Sequence, residues 1–216
     1  MEAVLTGDII ASTKLRPEEL NTVLDAMIVE FHNFQELYDC DFKIFRGDSF
    51  QGIISTAENA LELALILKTA LGKLDIKNEK ISAPLDARIA IGIGAVELKR
   101  ATILESNGEA FQLSGQALEA MDGEYPRLLL RTSDTEINDE FDVHFNFLDS
   151  ISSKWSRESA EVIYYLLKNF KEREIAETLN ISQPAINYRK KAANWESIAA
   201  LIKRYRSVVK KYTDGK

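Results

Sequence analysis

Between residues 2 and 96 the hydrophobic pattern switches repeatedly between a two-residue and a 3.6-residue period, and that order constrains the fold of this 216-residue chain more than any other feature. EAVLTGDII (2–10) is a short apolar run whose first half reads as a buried strand. Pro17 opens a helix, because proline suits the first helical turn. Leu20, Val23, Leu24, Met27, Ile28, Phe31 and Phe34 then recur at three- and four-residue steps, which predicts an amphipathic helix over 17–38. Strands at 42–46 and 49–55 follow, joined through Gly47-Asp48. AENALELALILKTALGKL (57–74) predicts a second helix with Leu61, Leu65 and Leu71 on its buried side, and LDARIAIGIGAV (85–96) a long strand.

The order β-α-β-β-α-β is that of a split βαβ, ferredoxin-like unit, so the expected fold class is α+β. In that unit the first two strands run parallel and the third runs back between them. Asp8, at the end of the first strand, is thereby placed beside Asp48, in the hairpin joining the second and third. Two carboxylates at one sheet edge suit a hard divalent cation such as Mg²⁺, which takes one or two carboxylates plus phosphate oxygens. Each aspartate also has a local reading: Asp8 accepting from the loop Ala11-Ser12-Thr13, and Asp48 shaping the turn.

Composition narrows the class. The single cysteine, Cys40, forms no internal disulfide, and no run of 18 apolar residues suggests a membrane span. The N-terminus lacks the basic region of a signal peptide, so a cytoplasmic protein with no membrane partner is expected. The net charge of −7 hides an asymmetry: residues 1–150 carry 13 Lys/Arg against 27 Asp/Glu, and residues 151–216 carry 14 against 7. Two domains with different partners follow, 1–150 and 151–216, and the basic one points to a polyanion. A solvated amphipathic helix pair would give the same charge count. His32 and His144 stand apart from any cluster with zinc-ligand spacing.

In the basic part, Ser156 caps a helix with Val162, Ile163, Leu166 and Leu167 as its buried stripe. In KEREIAETLNISQPAINYRKKAANW (171–195), Ile175, Ala176 and Leu179 form the inner face of a short helix, Asn180 and Ile181 the turn. Ser182 then caps a second helix with Pro184 in its first turn. Caps, spacing and charge together resemble a bacterial helix-turn-helix. The resemblance implies DNA as partner, with Gln183, Asn187 and Tyr188 near base edges and Arg189, Lys190 and Lys191 on phosphates. A helical protein-interaction module of the same architecture is the alternative.

The acidic part resembles the palm domain of class III nucleotidyl cyclases through TGDIIAST (6–13), FRGDSFQG (45–52), ARIAIGIGAV (87–96) and NGEAFQLSGQALEAM (107–121). TGDI and FRGDSFQ are also shared with the SatD family of bacterial proteins. The cyclase resemblance implies Mg²⁺ held by Asp8 and Asp48 with the Ile9 carbonyl, and a nucleoside triphosphate cradled by Ser12 and Thr13. It also implies a two-metal attack of a ribose oxygen on the α-phosphate, at a site built across a homodimer. Three departures stand out. Lys43 is one residue out of register for the base-reading lysine. Gln112 and Gln116 occupy the positions of an Asn and an Arg that act on the transition state, and glutamine brings no positive charge there. Arg46, beside the hairpin tip, is the candidate compensating charge. The expected protein is a DNA-binding regulator whose degenerate cyclase-like domain binds a nucleotide or assembles a dimer. The alternatives are an active metal-dependent cyclase or nucleotidyltransferase, and a scaffold using neither site.

Overall fold

The computed structural model describes residues 1–45, 47–98, 103–121, 123 and 125–215. A five-stranded sheet is built from β1 (Glu2–Ile9), β2 (Cys40–Phe45), β3 (Ser49–Ile54), β4 (Ala87–Gly94) and β5 (Leu128–Arg131), in the order β2-β3-β1-β4-β5. β1 pairs antiparallel with both β3 and β4, β2 pairs antiparallel with β3, and β4 and β5 are parallel. β1 is central and covered on both faces, which is why it reads as a continuous apolar run. Ala3, Leu5 and Ile9 enter the main core on one side, while Val4 packs with Ile103, Ala110 and Phe111 on the other.

The helices are α1 (Pro17–Leu37), α2 (Ala60–Gly72), α3 (Glu109–Glu119), α4 (Thr135–Ser152), α5 (Arg157–Leu167), α6 (Glu172–Leu179), α7 (Gln183–Ala192) and α8 (Trp195–Asp214). α3 lies close against the second face of the sheet, beside the turn at Ile103. A Cβ added at Gly92 of β4 would sit 2.2 Å from the Ala110 carbonyl oxygen and 2.6 Å from the Ser114 nitrogen, so only glycine admits this approach. The Thr6 and Ser114 hydroxyls meet 2.9 Å apart across the same contact.

α2 differs from its sequence reading. In place of one buried side, every residue from Ala60 to Gly72 is buried, Lys68 among them. Its outer face is covered by the C-terminal helices: a Cβ at Gly72 would lie 3.1 Å from that of Ala160 on α5. Ile163, Tyr164 and Leu167 of α5 and Ile198, Ile202, Tyr205 and Val209 of α8 belong to the same core as the sheet. Polar ties reinforce the seam. The Tyr164 hydroxyl donates to Glu30 at 2.5 Å, Lys168 reaches the other Glu30 oxygen at 3.1 Å, and the fully buried Tyr205 hydroxyl donates to the Ala57 carbonyl at 3.1 Å. α6 and α7 stand outside this core. With the outer face of α5 they enclose a smaller cluster of Val162, Ile175, Ala176 and Ile186. Residue 150, the expected domain boundary, lies within α4, whose Phe141, Phe145 and Leu148 also belong to the main core.

Candidate functional site

The register places the site. Asp8 lies opposite Ser49 of β3 and Arg88 of β4, and the Ile9 amide donates to the Asp48 carbonyl at 3.1 Å. Gly47 makes the hairpin tight through a φ of +80°, a conformation that costs glycine nothing. After β1 the chain turns at Ala11, in the left-handed region with φ 59°, into a single 3-10 turn, Ser12–Lys14. That turn brings the Ser12 hydroxyl onto Asp48 Oδ2, to which it donates. Asp8, Asp48, Ile9, Ser12 and Thr13 thus line one cavity of about 300 Å³ at the C-terminal end of β1, together with Arg88 and Arg127.

Arg88 dominates the electrostatics. Its Nε donates to Asp8 Oδ1 at 2.9 Å and its Nη2 to Oδ2 at 2.6 Å, a two-pronged grip of the strong, geometry-specific kind. Its Nη1 donates to the Met121 carbonyl at 2.7 Å. Arg127 is fixed differently: its Nη1 donates to Asp86 at 3.1 Å and its guanidinium lies 4.8 Å from the centre of the Tyr125 ring. Asp86 in turn holds the buried Lys68 ammonium at 2.7 Å, which explains how a lysine can sit inside α2. Asp8, Asp48, Arg88 and Arg127 sum to zero charge around the cavity.

Neither arginine follows from the sequence reading. Arg88 was hidden because its role depends on standing opposite Asp8, a long-range register. The only local signal is a charge in the otherwise apolar strand ARIAIGIG. Lys43 is exposed and lies opposite Gln51, away from the cavity. Gln112 and Gln116 are exposed on α3 and are not part of the cavity wall. Arg46 lies outside the described residues. Among the described residues no three His, Cys, Asp or Glu gather as a metal cluster. A cation here has two carboxylates available, a hard-oxygen set that fits Mg²⁺ completed by phosphate oxygens. Both Asp8 oxygens already accept from Arg88, which would compete with a cation there.

The second set of predicted residues lies on α7. Ser182 caps the helix, accepting from the Ala185 amide, and Asn180 turns the chain with φ 51°. Gln183, Tyr188 and Lys191 are exposed, Tyr188 at 75%, and Asn187 is half-buried. Lys190 is engaged internally by Glu172 at 3.2 Å and Glu196 at 3.0 Å, and Arg189 lies 4.0 Å from Glu161.

The fold is thus a mixed α+β arrangement on a five-stranded sheet with a carboxylate-bearing strand end, and among the described residues no helix is long and apolar enough to cross a membrane. A model of the SatD family matches residues 3–206, and the chain belongs to that family. No curated protein matches. The chain is similar to the guanylyl cyclase Cya2, at 18% identity and TM-score 0.41, over 56% of this chain and 71% of that one. It is also similar to the active GGEEF domain of a diguanylate cyclase from Vibrio cholerae (13%, TM-score 0.43, 62% and 83%) and to a bacterial light-regulated adenylyl cyclase (13%, TM-score 0.41, 60% and 74%).

Proposed function

We propose that the strand-end cavity binds the polyphosphate of a nucleoside triphosphate with a divalent cation, and that this domain regulates a DNA-contacting unit formed by α5–α7. The observation that carries the first half is the convergence of two carboxylates, two hydroxyls and two guanidinium groups on one cavity. A bare triphosphate would meet Asp8 and Asp48 at close range, so its cation complex is the form this wall accepts. Asp8 and Asp48 would hold Mg²⁺, which neutralises the phosphates. Arg88 would turn from Asp8 to a phosphate oxygen, and Ser12 and Thr13 would donate to the same group.

Binding without fast turnover is the reading this chain supports. A phosphoryl transition state needs positive charge at the reacting centre, and the α3 position matched to an arginine, Gln116, carries a neutral amide and lies away from the cavity, as does Gln112 at the asparagine position. Titration calorimetry with ATP and GTP, with and without Mg²⁺, tests this. Binding that survives Asp8→Ala with Asp48→Ala sinks it, and accumulation of a cyclic product absent from that double variant establishes the enzyme alternative instead.

The second half rests on a separate small core that presents Gln183, Tyr188 and Lys191 on the exposed face of a capped helix. A homodimer in the cytoplasm, reading two half-sites, fits this reading. The full chain should shift duplex DNA with steep salt dependence. Unchanged affinity in Gln183→Ala with Tyr188→Ala would remove α7 as the reading helix.

A further inference from the structure

A second cavity, of about 690 Å³, lies apart from the strand end, between α4, β5 and residues 125–126. Its α4 wall is a polar stripe at helical spacing, Asp142, Asn146, Asp149 and Ser153, beside the apolar Phe141, Phe145 and Leu148 that enter the core. Across from it stand Tyr125, Pro126 and Leu129. Asp149 is the unusual member. It is only 3% exposed, its Oδ2 accepts from the Arg127 amide at 2.7 Å, and its Oδ1 has no hydrogen-bond partner. Burial pushes its carboxyl above the ordinary aspartate range despite Lys68 and Arg127 nearby. A buried acceptor left unmade is costly, so a native structure that keeps one in a cavity wall calls for a donor.

The charges restrict that donor's carrier. Arg131 and Asp142 satisfy each other at 2.7 Å, and Lys154 offsets Asp149, so the wall is close to neutral. A polyanion or a polyamine finds no complementary field. Flat apolar contact from Tyr125, Pro126 and Leu129 facing an acceptor-bearing edge suits a planar, uncharged ring system with N–H groups. We infer that this cavity is a binding site for a neutral nitrogen heterocycle of the nucleobase or nucleoside class, which donates to Asp149 and is oriented by Asn146 and Tyr125. With Asp149 Oδ2 already held by the Arg127 amide, a base presenting adjacent N–H and amino donors on one edge can serve Oδ1 and the Asn146 amide oxygen together, so guanosine should bind more tightly than uridine. The site is independent of the phosphate reading of the strand end.

The test titrates the full chain with free guanosine, adenosine, cytidine and uridine, using ligand-observed NMR or calorimetry. Saturable guanosine binding, weakened by about tenfold or more in Asp149→Asn, is expected. Because Asp149 is buried and its substitution could unfold the chain, Asn146→Ala and Tyr125→Ala, both at exposed positions, serve as the second arm and should weaken binding in soluble, folded protein. Triphosphate with Mg²⁺ is the control, and its affinity should be unchanged in Asn146→Ala. The inference is overturned if no free nucleoside binds saturably or if Asn146→Ala and Tyr125→Ala leave guanosine affinity intact. It also fails if binding is lost in Asp48→Ala and retained in those two variants, which would put the nucleoside in the strand-end cavity.

Discussion

Replacing Arg88 by methionine tests whether an internal cation competes for Asp8. The variant keeps the aliphatic length of the side chain and removes both donors to Asp8, at 2.9 and 2.6 Å, and the donor to the Met121 carbonyl at 2.7 Å. Hydrogen bonds to a charged partner contribute up to about 3 kcal/mol each. Here the two side chains remain 32% and 22% exposed, so solvent replaces much of what is lost. A net destabilisation of about 1–2 kcal/mol follows, or a melting shift of roughly 2–8 °C for a chain of this size. The same change frees Asp8 for a divalent cation. If Arg88 holds Asp8 with 1–2 kcal/mol, Mg²⁺ affinity in Arg88→Met should rise by about 5- to 30-fold, since each 1.4 kcal/mol is a factor of ten. Differential scanning fluorimetry across a Mg²⁺ series reads both effects: a lower melting point without cation, and a larger cation-dependent rise. An identical Mg²⁺ response in the two proteins would refute the competition and, with it, Asp8 as a cation ligand.

Other perturbations probe the frame around the site. Tyr205→Phe removes the side-chain donor to the Ala57 carbonyl, which keeps the Ala60 amide, and should cost about 0.5–1.5 kcal/mol in chemical denaturation, without altering triphosphate binding. Gly92→Ala drives a methyl against backbone atoms of α3 at 2.2 and 2.6 Å; overpacking of this kind costs about 1–3 kcal/mol or more, and amide exchange along α3 should accelerate. The Cys40 thiol is pushed up to about 11 by burial and by Asp39 and Asp41, so it stays protonated well above neutrality. At pH 8 its alkylation by iodoacetamide should run about two orders of magnitude slower than that of the unfolded chain, which has the ordinary thiol value, and the gap should close as pH approaches 11. Lys191→Glu should weaken DNA binding and flatten its salt dependence by about one unit, whereas Lys190→Ala, which releases Glu172 and Glu196, should act chiefly on melting temperature.

The elements that were legible in the sequence are those fixed by local chemistry. Pro17, Ser156 and Ser182 announce the starts of α1, α5 and α7, and the two-residue alternation marks the strands to within about two residues. α4 begins two residues before the apolar pattern does, because Asp134 caps it by accepting from the Glu136 and Ile137 amides. What stayed hidden depends on distant partners. The all-round burial of α2 comes from α5 and α8, about a hundred residues later, and no periodicity within 57–74 encodes it. Lys190 looks free in RKKA, yet two glutamates from neighbouring helices hold it. At the site, the strand order was enough to place Asp8 beside Asp48, whereas Arg88 required the pairing of β1 with β4.

A chain of polar and packing contacts ties the strand end to the rest of the molecule. Arg127 faces the cavity and holds Asp86, Asp86 holds Lys68, and Lys68 also donates to the Ala87 carbonyl at 2.8 Å from within α2. α2 carries α5 directly on its outer face, and α5 contributes Val162 to the small core that positions α7. The contacts are therefore contiguous from the cavity to the helix proposed to meet DNA. Contiguity supplies a route and no energy: a ligand shifts the far helix only by the difference in its affinity for two arrangements of that route. An exchange of Arg127 from Asp86 to a phosphate would act on that route directly, because it would break the first charged pair in it. A ligand that fills the cavity while leaving Arg127 on Asp86 should bind and leave DNA affinity unchanged, which separates occupancy of the site from signalling through it.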